Sequence, residues 1–272
     1  MTNFFDSTKP SIQRKIRGVW DTYSLIRELN SINGTTIGSS LLDQIMYRFE
    51  FLPSFGKEYW WFLFFGDDGK QMVVLVYRKT GKRMLFNRKN VEFRRKNIST
   101  FQAVTTGWIY DGRQMHDLGV CNNYIKTDTK KKKLVSQLSN RKLTFNGGFP
   151  EYDLKIDGLV HLSMKESDIL ENKCAHGVFV PPFGTGWIDI YSEAKGEILG
   201  EKFVGTAHLQ KVVGIMPYGS FHWARVVFQD NSSFSFFCLR SGPKSSKFFH
   251  TSMDFYHHES RKRIRLKYPI IK

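Results

Sequence analysis

Tyr59–Arg78 reads YWWFLFFGDDGKQMVVLVYR, and Phe221–Arg240 reads FHWARVVFQDNSSFSFFCLR. At a constant offset of 162 residues, Trp61 meets Trp223, Asp68 meets Asp230, Gly69 meets Asn231 and Arg78 meets Arg240, without a gap. Each copy is an aromatic-led run, an Asp-Gly or Asp-Asn turn, and a return run ending at arginine. Such a pattern predicts a β-hairpin, because Gly and Asn tolerate the positive φ of tight turns. Repeats set architecture, so two related β units in tandem are expected.

The rest of the chain agrees with this. Val104–Tyr110 and Gln114–Val120 flank Asp111-Gly112, a second hairpin signal. Met46–Phe51 alternates, and Leu159–Lys165, Trp187–Ser192, Phe203–Val213 and Ile264–Ile270 add further strand candidates. One stretch has a helical period: Ile12, Ile16, Val19, Tyr23 and Ile26, with Ser11 as N-cap and Asn33-Gly34 as stop. Its basic outer face suits either packing on a barrel or lying on a membrane. The expected class is all-β, a barrel or sandwich, with one N-terminal amphipathic helix. The expected segments are 1–40 with the helix, 41–155 as the first β unit and 156–272 as the second. Lys130–Lys133 reads as a solvated turn near the midpoint.

The chain has 272 residues, of which 15% are aromatic; it carries a net charge of +16 at pH 7 and has a pI of about 9.7. That content excludes a disordered tail. Cys121, Cys174 and Cys238 lie far apart with no C-x-x-C pair, so a disulfide framework is not expected and a reducing compartment fits. Met1–Pro10 has no apolar signal core, and the run Tyr59–Phe65 is too short for a membrane span. A cytoplasmic protein is expected. Arg88–Lys96, Lys130–Lys133 and Arg261–Lys267 are densely basic, which keeps open a non-catalytic protein that binds nucleic acid or an anionic membrane surface.

Glu58-Tyr59-Trp60-Trp61, followed by strand, Asp-Gly turn and strand, resembles the E-W-W-Y opening of the lipocalin-like carotenoid hydratase and AttH group. Here a tyrosine separates the glutamate from the tryptophan pair. Gly205–Gly214 leading into Phe221-His222-Trp223 is similar to the second-barrel strands of that group. The resemblance implies an all-β fold of two tandem lipocalin-like β-barrels or half-barrels, and an apolar, isoprenoid- or lipid-like ligand. It also implies hydratase, cyclase or isomerase chemistry.

Strand parity places His222 with Ala224, Val226 and Phe228, opposite Arg225, and so predicts that His222 faces an apolar interior. Protonating an isoprenoid double bond requires a poised acid and aromatic faces for the developing cation. His222, His208, Glu58 and Asp254 are the candidate catalytic residues; Tyr59, Trp60, Trp61, Tyr218 and Trp223 are the candidate ligand walls. The alternative is that they fill solid barrel cores. Asp254, His257, His258 and Glu259 match no established metal-ligand spacing, and Cys174 with His176 is half a site. Gly184-Thr185-Gly186 reads as a turn, not a nucleotide loop. No metal or cofactor is expected.

Overall fold

The computed structural model describes residues 12–32, 35–86, 89–97, 100–166, 173–216, 220–230, 232–240, 248–260 and 262–267. In chain order the elements are α1 (Ile12–Ser31), β1 (Thr35–Thr36), α2 (Ser39–Tyr47), β2 (Gly56–Gly66), β3 (Gln71–Lys79), β4 (Arg83–Phe86), β5 (Lys89–Glu92), β6 (Arg95–Asn97) and β7 (Thr100–Tyr110). Next come β8 (Met115–Asp128), β9 (Lys133–Leu138), β10 (Arg141–Gly148), β11 (Glu151–Ile156), β12 (Val160–Glu166), β13 (Lys173–Val180), β14 (Phe183–Ile198) and β15 (Glu201–Ile215). The last four are β16 (Ser220–Val227), β17 (Ser233–Arg240), β18 (Phe248–His257) and β19 (Lys262–Lys267).

The all-β expectation with an N-terminal helix holds. The chain divides into two compact units after Ile215. In the first, antiparallel pairing runs β14-β12-β11-β10-β9-β8-β7-β3-β2-β15, and β15 pairs back onto β14. This closes a ten-stranded barrel. β14 is long enough to serve two neighbours along one edge: its first half pairs β13 and its second half β12. The second unit is an open four-stranded sheet, β16-β17-β18-β19.

The expected boundary between residues 155 and 156 falls inside β11, and the barrel draws strands from both sides of it. The reason is closure: without β12, β14 and β15 the edges of β11 and β2 would keep unpaired backbone groups. The repeat itself is real at the level of the hairpin. Trp61 pairs with Leu75 across β2–β3, and Trp223 pairs with Phe237 across β16–β17, the same register at the same offset. One copy is part of a closed ring and the other part of an open sheet.

Gly69 takes φ +86 in the β2–β3 turn, as the hairpin requires. At Gly205 the need is space: a Cβ there would lie 2.0 Å from the Phe65 carbonyl oxygen, on the seam between β15 and β2.

A ten-stranded ring is wider than the eight-stranded barrels that side chains alone can fill. Here α2 supplies the additional bulk. Leu42, Ile45, Met46 and Tyr47 join Trp60, Phe62, Phe64, Phe145, Leu143 and Leu209 in one buried cluster. Tyr47 and Tyr152 stack on Phe145 at 5.5 and 5.4 Å. Asp43 of α2 accepts hydrogen bonds from the Tyr152 hydroxyl (2.8 Å) and the Phe149 amide (3.1 Å), and pairs with Lys132 (2.8 Å).

This helix overturns the strand expected at Met46–Phe51. Met46 and Tyr47 end α2, and residues 48–53 are irregular. α1 packs on the barrel through Leu25, Ile26 and Leu29, all buried, while Trp20 is 67% exposed. The expected Ser11 cap and Asn33-Gly34 stop lie outside the described residues. Gly184-Thr185-Gly186 is not a turn but the start of β14, where Gly184 and Gly186 let α1 approach closely.

Candidate functional site

The register β13-β14-β15-β2 brings distant residues onto one outward face of the barrel. Across it, Cys174, Asp189, Gln210 and Trp61 lie in one row; His176, Trp187, Val212 and Tyr59 form the next. Tyr191 and His208 pair on the other side of Asp189. Asp189 is only 4% exposed and accepts from four donors. His208 Nε2 (2.7 Å) and Gln210 Nε2 (2.8 Å) meet Oδ1; Trp187 Nε1 (3.1 Å) and His176 Nε2 (3.2 Å) meet Oδ2.

Aromatic rings hold both imidazoles in place. Tyr191 stacks on His208 at 4.6 Å and Trp187 on His176 at 5.2 Å. Burial works to raise the Asp189 carboxyl, but the His208 and His176 charges and hydrogen bonds outweigh it and hold the group well below the usual carboxylate range. Burial also pushes the nearby Tyr59 hydroxyl up, with Tyr77 and Asp189 adding to the effect. The arrangement sets two imidazoles against one ionised carboxylate in a poorly solvated place.

The expected residues divide among three locations. His208, Tyr59 and Trp61 belong to this outer face. Glu58 and Trp60 alternate with them and point inward. Inside, Glu58 is fully buried, ion-pairs with Arg78 and lies 2.9 Å from Lys211 Nζ. Lys211 donates to the carbonyls of Ile45 (2.7 Å) and Arg48 and sits 4.6 Å over the Trp60 ring, whose Nε1 donates to Met46 O at 2.7 Å. Burial lowers the Lys211 ammonium from its ordinary value, with Glu58 opposing. Glu58 and Trp60 therefore anchor α2 and the segment after it.

His222, Trp223 and Asp254 lie in the second unit. His222 shares a face with Ala224 and Val226 as expected, but that face is exposed, not interior. The sheet is open, so strand parity there selects a face without enclosing it. Asp254 pairs with Arg263 and, at 2.7 Å, with Arg265. Its register partners Ser235 and Arg225 place it opposite the His222 face. Tyr218 lies outside the described residues. Among the described residues no group of three or more His, Cys, Asp or Glu side chains could hold a metal ion.

Asp189, Trp187, Gln210 and Tyr191 escaped the sequence reading, which has His176 only as half a metal site with Cys174. Trp187–Ser192 was legible as a strand, and the odd positions Trp187, Asp189 and Tyr191 share a face. What it lacked was the neighbouring strands. A separate pocket of about 520 Å³ lies beside Asp21, Arg48, Glu50, Lys126 and Asp128. Its mixed charges suit a polar occupant better than an apolar one.

No family model matches the chain, and no curated protein is similar to it. Among solved structures, a candidate AttH protein from Nitrosomonas europaea is similar at 14% identity and a TM-score of 0.42. The match covers 79% of this chain and 69% of that one.

Proposed function

We propose that this protein binds an apolar, isoprenoid- or lipid-like small molecule and moves a proton on it, in a hydration, cyclisation or isomerisation. The observation that carries the reading is Asp189, a buried ionised carboxylate shared by two imidazoles on an aromatic face. Strongly perturbed titratable groups with specific partners are enriched at functional sites.

His208 is the acid–base group in this reading. Asp189 binds Nε2, fixes the orientation of the ring and supports a proton on it. Proton donation to a double bond forms a new C–H bond and leaves a carbocation. Addition of water with loss of its proton completes a hydration; loss of a neighbouring C–H proton completes an isomerisation; attack by an internal double bond closes a ring and moves the cation to a new carbon, which loses a neighbouring C–H proton. In each case the proton returns to the His208–Asp189 pair. Tyr59, Trp61 and Tyr191 supply ring faces that favour a nearby cation. Asp189 keeps the imidazolium stable until transfer.

The test is extraction of the purified protein with organic solvent and mass spectrometry of what it carries. An apolar ligand should be recovered from the wild type. It should be depleted or left unconverted in His208→Gln and Asp189→Asn, both shown to be folded by circular dichroism. A wild-type extract without any apolar ligand, or folded variants that carry and convert it unchanged, would overturn the reading.

A further inference from the structure

The second unit shows an unusual division between its two faces. Antiparallel register sets Val226, Phe234, Phe255 and Ile264 in one row across the four strands, and Ala224, Phe236, Met253 and Leu266 in the next. Both rows are wholly apolar. Yet Val226 is 46% exposed, Ile264 57% and Leu266 53%, and Phe228 at the strand end is 46% exposed. The opposite face carries the Asp254–Arg263–Arg265 ion pairs, and the side chains of those arginines are only 20% exposed. Ordinary one-sided antiparallel sheets show the reverse, polar outward and apolar covered.

Four strands spaced about 4.8 Å apart and six residues long give a face of roughly 400 Å². An apolar patch of about 300–600 Å² is the largest on a typical monomer and is often functional. A stable protein–protein interface takes about 800 Å² from each partner, twice this footprint. Charge also discriminates. Residues 216–272 hold ten Lys and Arg against three Asp and Glu, so two copies face to face would repel. An anionic surface would attract, and Lys262 stands on the apolar face beside Ile264.

We infer that this face docks on an anionic lipid bilayer, with Val226, Phe228, Ile264 and Leu266 entering the acyl boundary and Lys262 meeting the headgroups. An acyl boundary accepts exposed side chains without the shape complementarity that a protein partner demands. The contribution of anionic headgroups is about 1 kcal/mol per nearby Lys or Arg, a fivefold change in partitioning. The inference stands apart from the proton-transfer reading, since it concerns a different face and its test measures no turnover.

The experiment is co-sedimentation of the full chain with vesicles of phosphatidylcholine containing about 30% phosphatidylserine, at moderate salt. Wild type should sediment with these vesicles and far less with phosphatidylcholine alone, and high salt should release it. The double variant Ile264→Ser with Leu266→Ser, both exposed, should partition roughly tenfold or more weakly. Lys262→Gln should lose about fivefold. Circular dichroism and melting temperature check that each variant is folded. No sedimentation of the wild type, equal binding to neutral vesicles, or a folded double variant that binds as wild type would overturn the inference. So would light scattering that shows a wild-type dimer made monomeric by the double variant, since the face would then serve a second copy.

Discussion

Asp189 and His208 are nineteen residues apart in sequence and sit one strand apart, with Asp189 Oδ1 2.7 Å from His208 Nε2. Both are buried, on the side of the sheet that faces away from the barrel core. Removing the charge from such a pair leaves a buried imidazole without its counter-ion. Asp189→Asn should therefore cost about 3–5 kcal/mol, read from urea denaturation at neutral pH.

The same carboxyl predicts an acid dependence. Its folded pKa lies well below the ordinary value, so the unfolded chain takes up this proton first as pH falls. The stability it contributes is fully present above the unfolded value of about 3.9 and is lost as pH drops below that toward the lower folded value. Asp189→Asn should flatten this part of the stability–pH curve. A variant curve parallel to the wild type below pH 4 would contradict the assignment.

The interior cluster predicts non-additivity. Glu58 and Lys211 are both fully buried, 2.9 Å apart. Breaking a buried pair from one side costs about 3–5 kcal/mol, whereas replacing both partners costs far less. Glu58→Gln with Lys211→Met should thus be more stable than the sum of the single variants by at least about 1 kcal/mol in a double-mutant cycle.

Trp60→Phe keeps an aromatic ring in the core but deletes the Nε1 donor to the Met46 carbonyl. The buried carbonyl at the end of α2 then lacks that donor, a loss of about 1–3 kcal/mol. Differential scanning calorimetry reads it directly.

His222→Ala should shift stability by less than about 0.5 kcal/mol, because an exposed residue leaves neither a cavity nor an orphaned partner. A large loss of melting temperature would mean that His222 is engaged in a way its exposure does not show.

Local chemistry was legible in the sequence; closure was not. The β2–β3 hairpin, with Gly69 at positive φ, followed from alternation and an Asp-Gly turn, as did β7–β8 around Gly112. The ten-strand ring depends on which strand pairs with which, and β2 beside β15 leaves no mark in either strand alone. α2 was missed because nine residues are too short for a strong period, and Met46–Phe51 alternates on paper. The site failed for a related reason. His208, Tyr59 and Trp61 stood out as residue types, but the carboxylate that joins the cluster comes from β14 through register. His222 was read inward because the open sheet was expected to close.

The seam between β2 and β15 also bears on synthesis. Residue 66 ends one side of that seam and residue 215 the other. At 5–20 residues per second, a ribosome takes on the order of ten seconds to make the chain between them. For that interval Tyr59–Phe65, a run of seven apolar and aromatic residues, waits with one edge unmatched. Such a strand is a template for wrong partners. Production of this protein should therefore respond to trigger-factor-type chaperones and to translation speed, with slow codons before residue 215 lowering yield and those after it doing little.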